Sequence, residues 1–136
     1  MVDDVAPKQA WESLRNDPEA QLVDVRTIPE WEFTGLPDLS DAGKQPVLIP
    51  WQVYPTMQVN GGFLDDLREA GLTPDHKLFF ICRTGGRSRA AAELANQHGF
   101  ARAVNVVGGF EGVPDAAGHR GTVAGWKADR LPWRQK

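Results

Sequence analysis

The sequence predicts an α/β domain built on a parallel sheet with helices on both faces. Three observations carry that expectation. Strand-like and helix-like segments alternate along the chain, which is the order that a parallel sheet with helical crossovers requires. The run Lys77-Leu78-Phe79-Phe80-Ile81-Cys82 is apolar without the in-and-out alternation of a half-exposed strand, so it reads as a central strand covered on both faces. A length of 136 residues with 41% hydrophobic side chains suits one domain with one core and argues against disorder.

Each element has its own warrant. Pro7 suits the first turn of a helix in which Ala10, Trp11 and Leu14 recur at helical spacing, and Asn16-Asp17-Pro18 ends it. Gln21 to Val25 is a short strand that closes on Asp24 and Arg26, and Pro29 to Phe33 adds a helical turn. From Gly35 to Pro46 the composition is that of a surface loop, before Val47-Leu48-Ile49 offers a second strand. Trp51 to Pro55 reads as an aromatic loop. Asn60 is placed to cap a helix with a stripe of Phe63, Leu64, Leu67 and Ala70, stopped by Gly71 and Pro74. After the central strand, Ser88 to His98 reads as a helix ended by Gly99, and Ala103 to Val107 as a strand turned by Gly108-Gly109. The whole chain, 1–136, is expected to form one domain, with a core over about 4–113 and a Gly- and Trp-containing extension over 114–136 that packs through Trp126 and Trp133.

Charge and composition narrow the function. Residues 1–70 hold 13 acidic and 5 basic side chains, a net −8, whereas residues 71–136 hold 5 and 10, a net +5. The arginines are scattered without basic runs or interleaved aromatics, so nucleic acid is not the expected partner, and a small anionic substrate suits the second half better. No run approaches the roughly 18 apolar residues of a membrane helix, and Met1-Val2-Asp3-Asp4 does not resemble a signal peptide. Cys82 is the single cysteine, so there is no intrachain disulfide. His76, His98 and His119 do not form a metal-ligand cluster with it, so no metal is expected. A reducing compartment, hence the cytoplasm, is the expected location.

The chemistry concentrates at Cys82. It ends the central strand, and Arg83-Thr84-Gly85-Gly86-Arg87-Ser88 leads into a helix, at the sheet edge where ligands of open α/β folds bind. The paired glycines permit a turn in which successive N–H groups converge, and the helix start adds unpaired N–H groups. A guanidinium about 5 Å from a thiolate contributes roughly 3 kcal/mol of raw attraction at an effective dielectric near 20, so Arg83 and Arg87 favour the reactive anion. A buried core cysteine is the plainer reading of a lone Cys on an apolar strand, but it does not call for this neighbourhood.

Those residues resemble the active-site loop of rhodanese-domain sulfurtransferases. Asp24-Val25-Arg26 matches that family's Asp-x-Arg motif, and Gly108-Gly109 matches the glycine pair after its last strand. The resemblance implies a three-layer fold with about five parallel strands and a two-step transfer. In it, Cys82 is the catalytic nucleophile that takes sulfane sulfur from thiosulfate or a similar anionic donor as a persulfide. The sulfur then passes to cyanide, a small thiol or a protein thiol, with no cofactor. Backbone N–H groups from Arg83 through Thr84, Gly85, Gly86 and Arg87 to Ser88 are expected to hold the persulfide, with Arg83 and Arg87 receiving the donor and Ser88 adding a hydrogen bond. Asp24 and Arg26 read as a structural brace, and His119, Arg120, Trp51 and Tyr54 as packing or surface residues in preference to walls of the pocket.

The match has departures. Gly35-Leu36-Pro37 lacks the histidine of a Gly-His-Ile-Pro-like segment, and the tail is longer than a minimal domain requires. Two other functions stay open: a catalytically silent rhodanese-like protein-binding module and a cysteine-dependent phosphatase. The latter class places five residues between Cys and Arg, whereas four separate Cys82 from Arg87.

Overall fold

The computed structural model describes residues 2–135. The chain begins with β1 (Asp4–Val5), α1 (Pro7–Asn16), β2 (Ala20–Asp24) and α2 (Ile28–Thr34). β3 (Leu36–Pro37), a 3-10 turn at Ser40–Ala42 and β4 (Val47–Leu48) follow. The hairpin of β5 (Gln52–Val53) and β6 (Gln58–Val59) leads to α3 (Phe63–Glu69) and β7 (Lys77–Ile81). α4 (Gly86–Gln97), β8 (Ala103–Val106) and β9 (Trp133–Arg134) complete the order.

Five strands form one sheet in the order β1-β8-β7-β2-β4, and every pairing is parallel. β7 lies in the middle, with Phe79 opposite Leu22 on one side and Val104 on the other. Its side chains divide between two cores. Leu78, Phe80 and Cys82 pack with Phe63 and Leu67 of α3 and Ala91, Ala92 and Ala95 of α4. Phe79 and Ile81 pack on the opposite face with Ala10 and Leu14 of α1 and with Phe110 and Trp126. The continuous apolarity of β7 therefore reflects helices on both faces, the three-layer α/β arrangement of a rhodanese-like fold.

Several local expectations are corrected. Asp4–Val5 forms the fifth strand at the edge beside β8, where two residues are too few to show a period. The surface excursion contains β3, which pairs antiparallel with β9 from the far end of the chain. The aromatic loop at 51–55 contains β5, paired with β6. Asn60 does not cap α3, whose N-cap position is Gly62. The Asn60 side chain, two residues before that position, instead accepts the Gly62 N–H at 3.0 Å. The core also extends past 113, because Trp126 is fully buried and Leu131 nearly so. The Trp126 indole N–H donates to the Pro132 carbonyl at 2.6 Å, and its ring meets Trp11 edge to face at 5.9 Å.

Candidate active site

Cys82 is the first residue after β7 and is 1% exposed. Three residues, Arg83, Thr84 and Gly85, separate it from α4, which starts at Gly86 rather than at the expected Ser88. The physical reason is Gly85: at φ +116° it turns the chain through a conformation that side chains rarely adopt, so the helix begins two residues sooner. Arg87 and Ser88 consequently sit in the first turn of α4. The Gly85 N–H donates to Cys82 Sγ at 3.1 Å, and the Ser88 hydroxyl oxygen lies 3.3 Å from the same sulfur.

The loop rests on the Gly108-Gly109 turn after β8. A Cβ on Gly109 would stand 2.5 Å from the carbonyl oxygens of Cys82 and Arg83, so only glycine permits this approach. Just beyond it, the Phe110 N–H donates to the Cys82 carbonyl at 2.8 Å, and the N–H groups of Glu111 and Gly112 donate to the Arg83 carbonyl at 3.1 and 3.0 Å. The carbonyls of Cys82 and Arg83 are thereby anchored by the segment that follows β8.

The two loop arginines differ. Arg83 is exposed, as are Thr84 and Gly86. Arg87 is held by a bidentate ion pair to Glu30 of α2, Nη1 to Oε1 at 2.7 Å and Nη2 to Oε2 at 2.8 Å. Glu30 also accepts the N–H and hydroxyl of Thr27, the N-cap of α2, at 3.2 and 2.9 Å. Burial by itself raises the Glu30 pKa, but the Arg87 hydrogen bond and charge, with the Thr27 donors, outweigh it and bring it to about 2. Arg87 is correspondingly raised, chiefly by its hydrogen bond to Glu30.

Asp24 and Arg26 meet as a fully buried bidentate pair. Arg26 also donates to Thr34 Oγ1 at 2.7 Å and to the Gly35 carbonyl at 2.9 Å, and its guanidinium lies 4.3 Å from the Phe110 ring centroid. The pair therefore ties the end of β2 to the end of α2, the helix whose Glu30 holds Arg87. Sequence reasoning missed Glu30 and Asn105. Asn105, in β8, is buried and accepts the Ser88 hydroxyl at 2.6 Å through Oδ1, while its Nδ2 donates to Asp4 Oδ1 at 3.0 Å. A polar residue inside the apolar strand 103–107 was its available signal, because a buried amide needs partners. His119 is exposed, Arg120 donates to the Gly112 carbonyl at 2.7 Å, and Trp51 packs edge to face on Phe63 at 5.2 Å. Tyr54 is exposed in the turn of the β5–β6 hairpin. Among the described residues no three His, Cys, Asp or Glu side chains are grouped to hold a metal ion, and no helix is long and apolar enough to cross a membrane.

A parallel sheet whose central strand delivers a cysteine into a glycine-turned helix start, braced from below by a second glycine pair, is the architecture of rhodanese-like domains. Within that class, the chain belongs to the STR4 middle domain family, whose model matches residues 3–136. The crystal structure of Rv0390 from M. tuberculosis is 46% identical, with a TM-score of 0.89 over 99% of this chain and 98% of that one. The Rickettsia conorii protein RC0915 is 32% identical over 134 residues, 98% of each chain. The chloroplastic protein THYLAKOID RHODANESE-LIKE of Oryza sativa subsp. indica is 30% identical over 130 residues, which are 95% of this chain and 24% of that protein.

Proposed function

We propose that this domain is a sulfurtransferase that carries sulfane sulfur on Cys82. The observation that carries the reading is the Gly85 N–H donating to Cys82 Sγ at 3.1 Å at the start of a helix, with the Ser88 hydroxyl oxygen 3.3 Å from the same sulfur. A backbone donor in that position, with the first turn of the helix behind it, favours negative charge on Sγ and on a sulfur added to it. In the first half-reaction the Cys82 thiolate attacks the sulfane sulfur of the donor. The new S–S bond forms as the donor's bond breaks, and the leaving group departs with the electron pair. In the second, cyanide or a thiolate attacks the outer sulfur and releases the Cys82 thiolate. Thr84, Gly85 and Gly86 shape the cradle, Arg83 meets the donor and Arg87 fixes the first turn of α4. The chemistry uses the cysteine alone, and a free thiol of this kind suits a reducing compartment such as the cytoplasm.

A second reading is favoured by the burial of Cys82, which is 1% exposed. Coverage of that depth restricts access of a donor to the thiol, which suits a rhodanese-like protein-binding module without turnover. The phosphatase reading has less support, because the guanidinium it needs for phosphate is committed to Glu30. Intact-mass measurement after incubation with sulfane donors separates the first two. The transferase gains one sulfur atom and loses that adduct in Cys82→Ala, whereas the binding module stays unmodified while folded. Cys82-dependent release of p-nitrophenol from p-nitrophenyl phosphate would favour the phosphatase.

A further inference from the structure

We infer that the donor this site accepts best is a small organic hydropersulfide, and that Glu30 discriminates against dianionic donors such as thiosulfate. The inference rests on the sulfur-transfer reading above and adds the class of donor to it.

The first argument is a charge count. By sequence the loop offers two guanidiniums, Arg83 and Arg87. The fold cancels one of them, because both carboxylate oxygens of Glu30 are bound by Arg87. The exposed Arg83 is the remaining loop cation. When a Cys82 thiolate attacks thiosulfate, three negative charges enter the site and three remain, one on the persulfide and two on the departing sulfite. A hydropersulfide, RS–SH, makes a lighter demand. The Cys82 thiolate attacks the outer sulfur, the Sγ–S bond forms, the RS–S bond breaks, and the electron pair leaves on RS⁻. The proton stays on the transferred sulfur, so the products are Cys82–S–SH and one thiolate. One negative charge is present throughout, which one guanidinium and the first turn of a helix match.

The second argument is shape. The strand order β7-β2-β4 sets the loops after those strands side by side at the carboxyl edge of the sheet. The Val25 N–H donates to the Ile81 carbonyl at 2.9 Å, and the Trp51 N–H to the Val25 carbonyl at 3.0 Å, continuing the ladder past the strands. Between the second and third of these loops lies a groove of about 320 Å³ walled by Ile28, Pro29, Pro50, Val53 and Tyr54, with Thr27 and Gln52 as its polar members. Thr27 is the residue bonded to Glu30. None of the lining side chains is charged, so the groove offers nothing to an inorganic anion and an apolar wall to a carbon body. Its volume fits an amino-acid-sized thiol.

The test compares loading of Cys82, read as the rate of gain of one sulfur by intact mass, from thiosulfate and from the hydropersulfide of N-acetylcysteine amide. The wild type is expected to load faster from the hydropersulfide. Glu30→Gln keeps a side chain compatible with the α2 capping box. It is expected to accelerate loading from thiosulfate by about tenfold, the effect of one freed unit charge on a dianion about 6 Å away at water-like dielectric. That gain should shrink at high salt, with the hydropersulfide rate changing less than twofold. Ile28→Ser and Tyr54→Ser, at exposed positions that do not support the core, are expected to slow the hydropersulfide severalfold and spare thiosulfate. Equal effects of Glu30→Gln on both donors, or groove variants that leave the hydropersulfide rate unchanged, would overturn the inference. Loading from a persulfidated protein but not from the small hydropersulfide overturns its small-molecule part. A folded wild type that loads from neither donor instead removes the sulfur-transfer reading itself.

Discussion

Ser88 has one hydroxyl proton and three neighbours that can accept it: Asn105 Oδ1 at 2.6 Å, the Gly85 carbonyl at 3.2 Å and Cys82 Sγ at 3.3 Å. The shortest contact takes the proton, and Asp4 fixes Asn105 in the orientation that makes Oδ1 the acceptor. Ser88→Ala leaves that buried oxygen without its donor, so the variant is expected to lose about 1–3 kcal/mol, read as a lower urea midpoint at unchanged slope. Glu30 gives a prediction in pH. Its carboxyl is held at about 2 against an ordinary 4.5, so the folded state binds its proton less tightly than the unfolded chain. The stability this lends is fully present above pH 4.5 and is lost as pH falls toward 2, with a total on the order of 3 kcal/mol. Denaturation of wild type and Glu30→Gln between pH 5 and pH 2 should show the gap between them closing over that interval. At this scale Cys82 and its loop were legible because their chemistry is local. Glu30 was not, since 57 positions separate it from Arg87 and no periodicity joins them.

The elements are held at their ends by side chains from elsewhere. Lys44 Nζ donates to the carbonyls of Leu14, Asp17 and Ala20 at 2.8, 2.7 and 2.6 Å, closing α1 and the turn into β2. Burial lowers the Lys44 pKa, opposed by Asp17 and Glu19. Lys44→Met is expected to cost about 1–3 kcal/mol and to speed amide exchange at the end of α1. Arg26→Met strands a fully buried Asp24 carboxylate, and a loss of about 3–5 kcal/mol in chemical denaturation is expected, with α2 loosened from the loop. Elements with enough residues to show a period were legible: α1, β2, β7, α4 and β8 lie within a few residues of their predicted spans. β1, β3, β5, β6 and β9 have two residues each, too few to show a period; β1, β3 and β9 exist because a distant segment supplies the partner, and β5 and β6 because they pair with each other across a tight hairpin.

Across the whole molecule, the segment after Phe110 closes the core. Trp126 is fully buried between the sheet and α1, and Trp126→Ala is expected to cost about 3–5 kcal/mol, seen as a lowered thermal midpoint of one cooperative transition. Lys127, the next residue, lies 5.0 Å from the Phe110 ring centroid and 4.0 Å from that of Trp133, so the segment also roofs the Arg26–Phe110 contact. Charge is redistributed by folding as well. The sequence divides into an acidic first part and a basic second part, yet Glu30 comes from the first to neutralise Arg87 of the second, and Asp4 does the same for Arg89 at 2.7 Å. The sequence by itself determined the alternating α/β order, the central strand, and the thiol at its carboxyl end followed by a glycine turn, because hydrophobic period and backbone freedom are properties of consecutive residues. The tertiary structure alone decided how deeply Cys82 is covered, which loop arginine is paired with Glu30, and that an uncharged groove opens between the loops after β2 and β4. Those depend on pairings between segments far apart in the chain, and Coulomb attraction and packing act on distance in space.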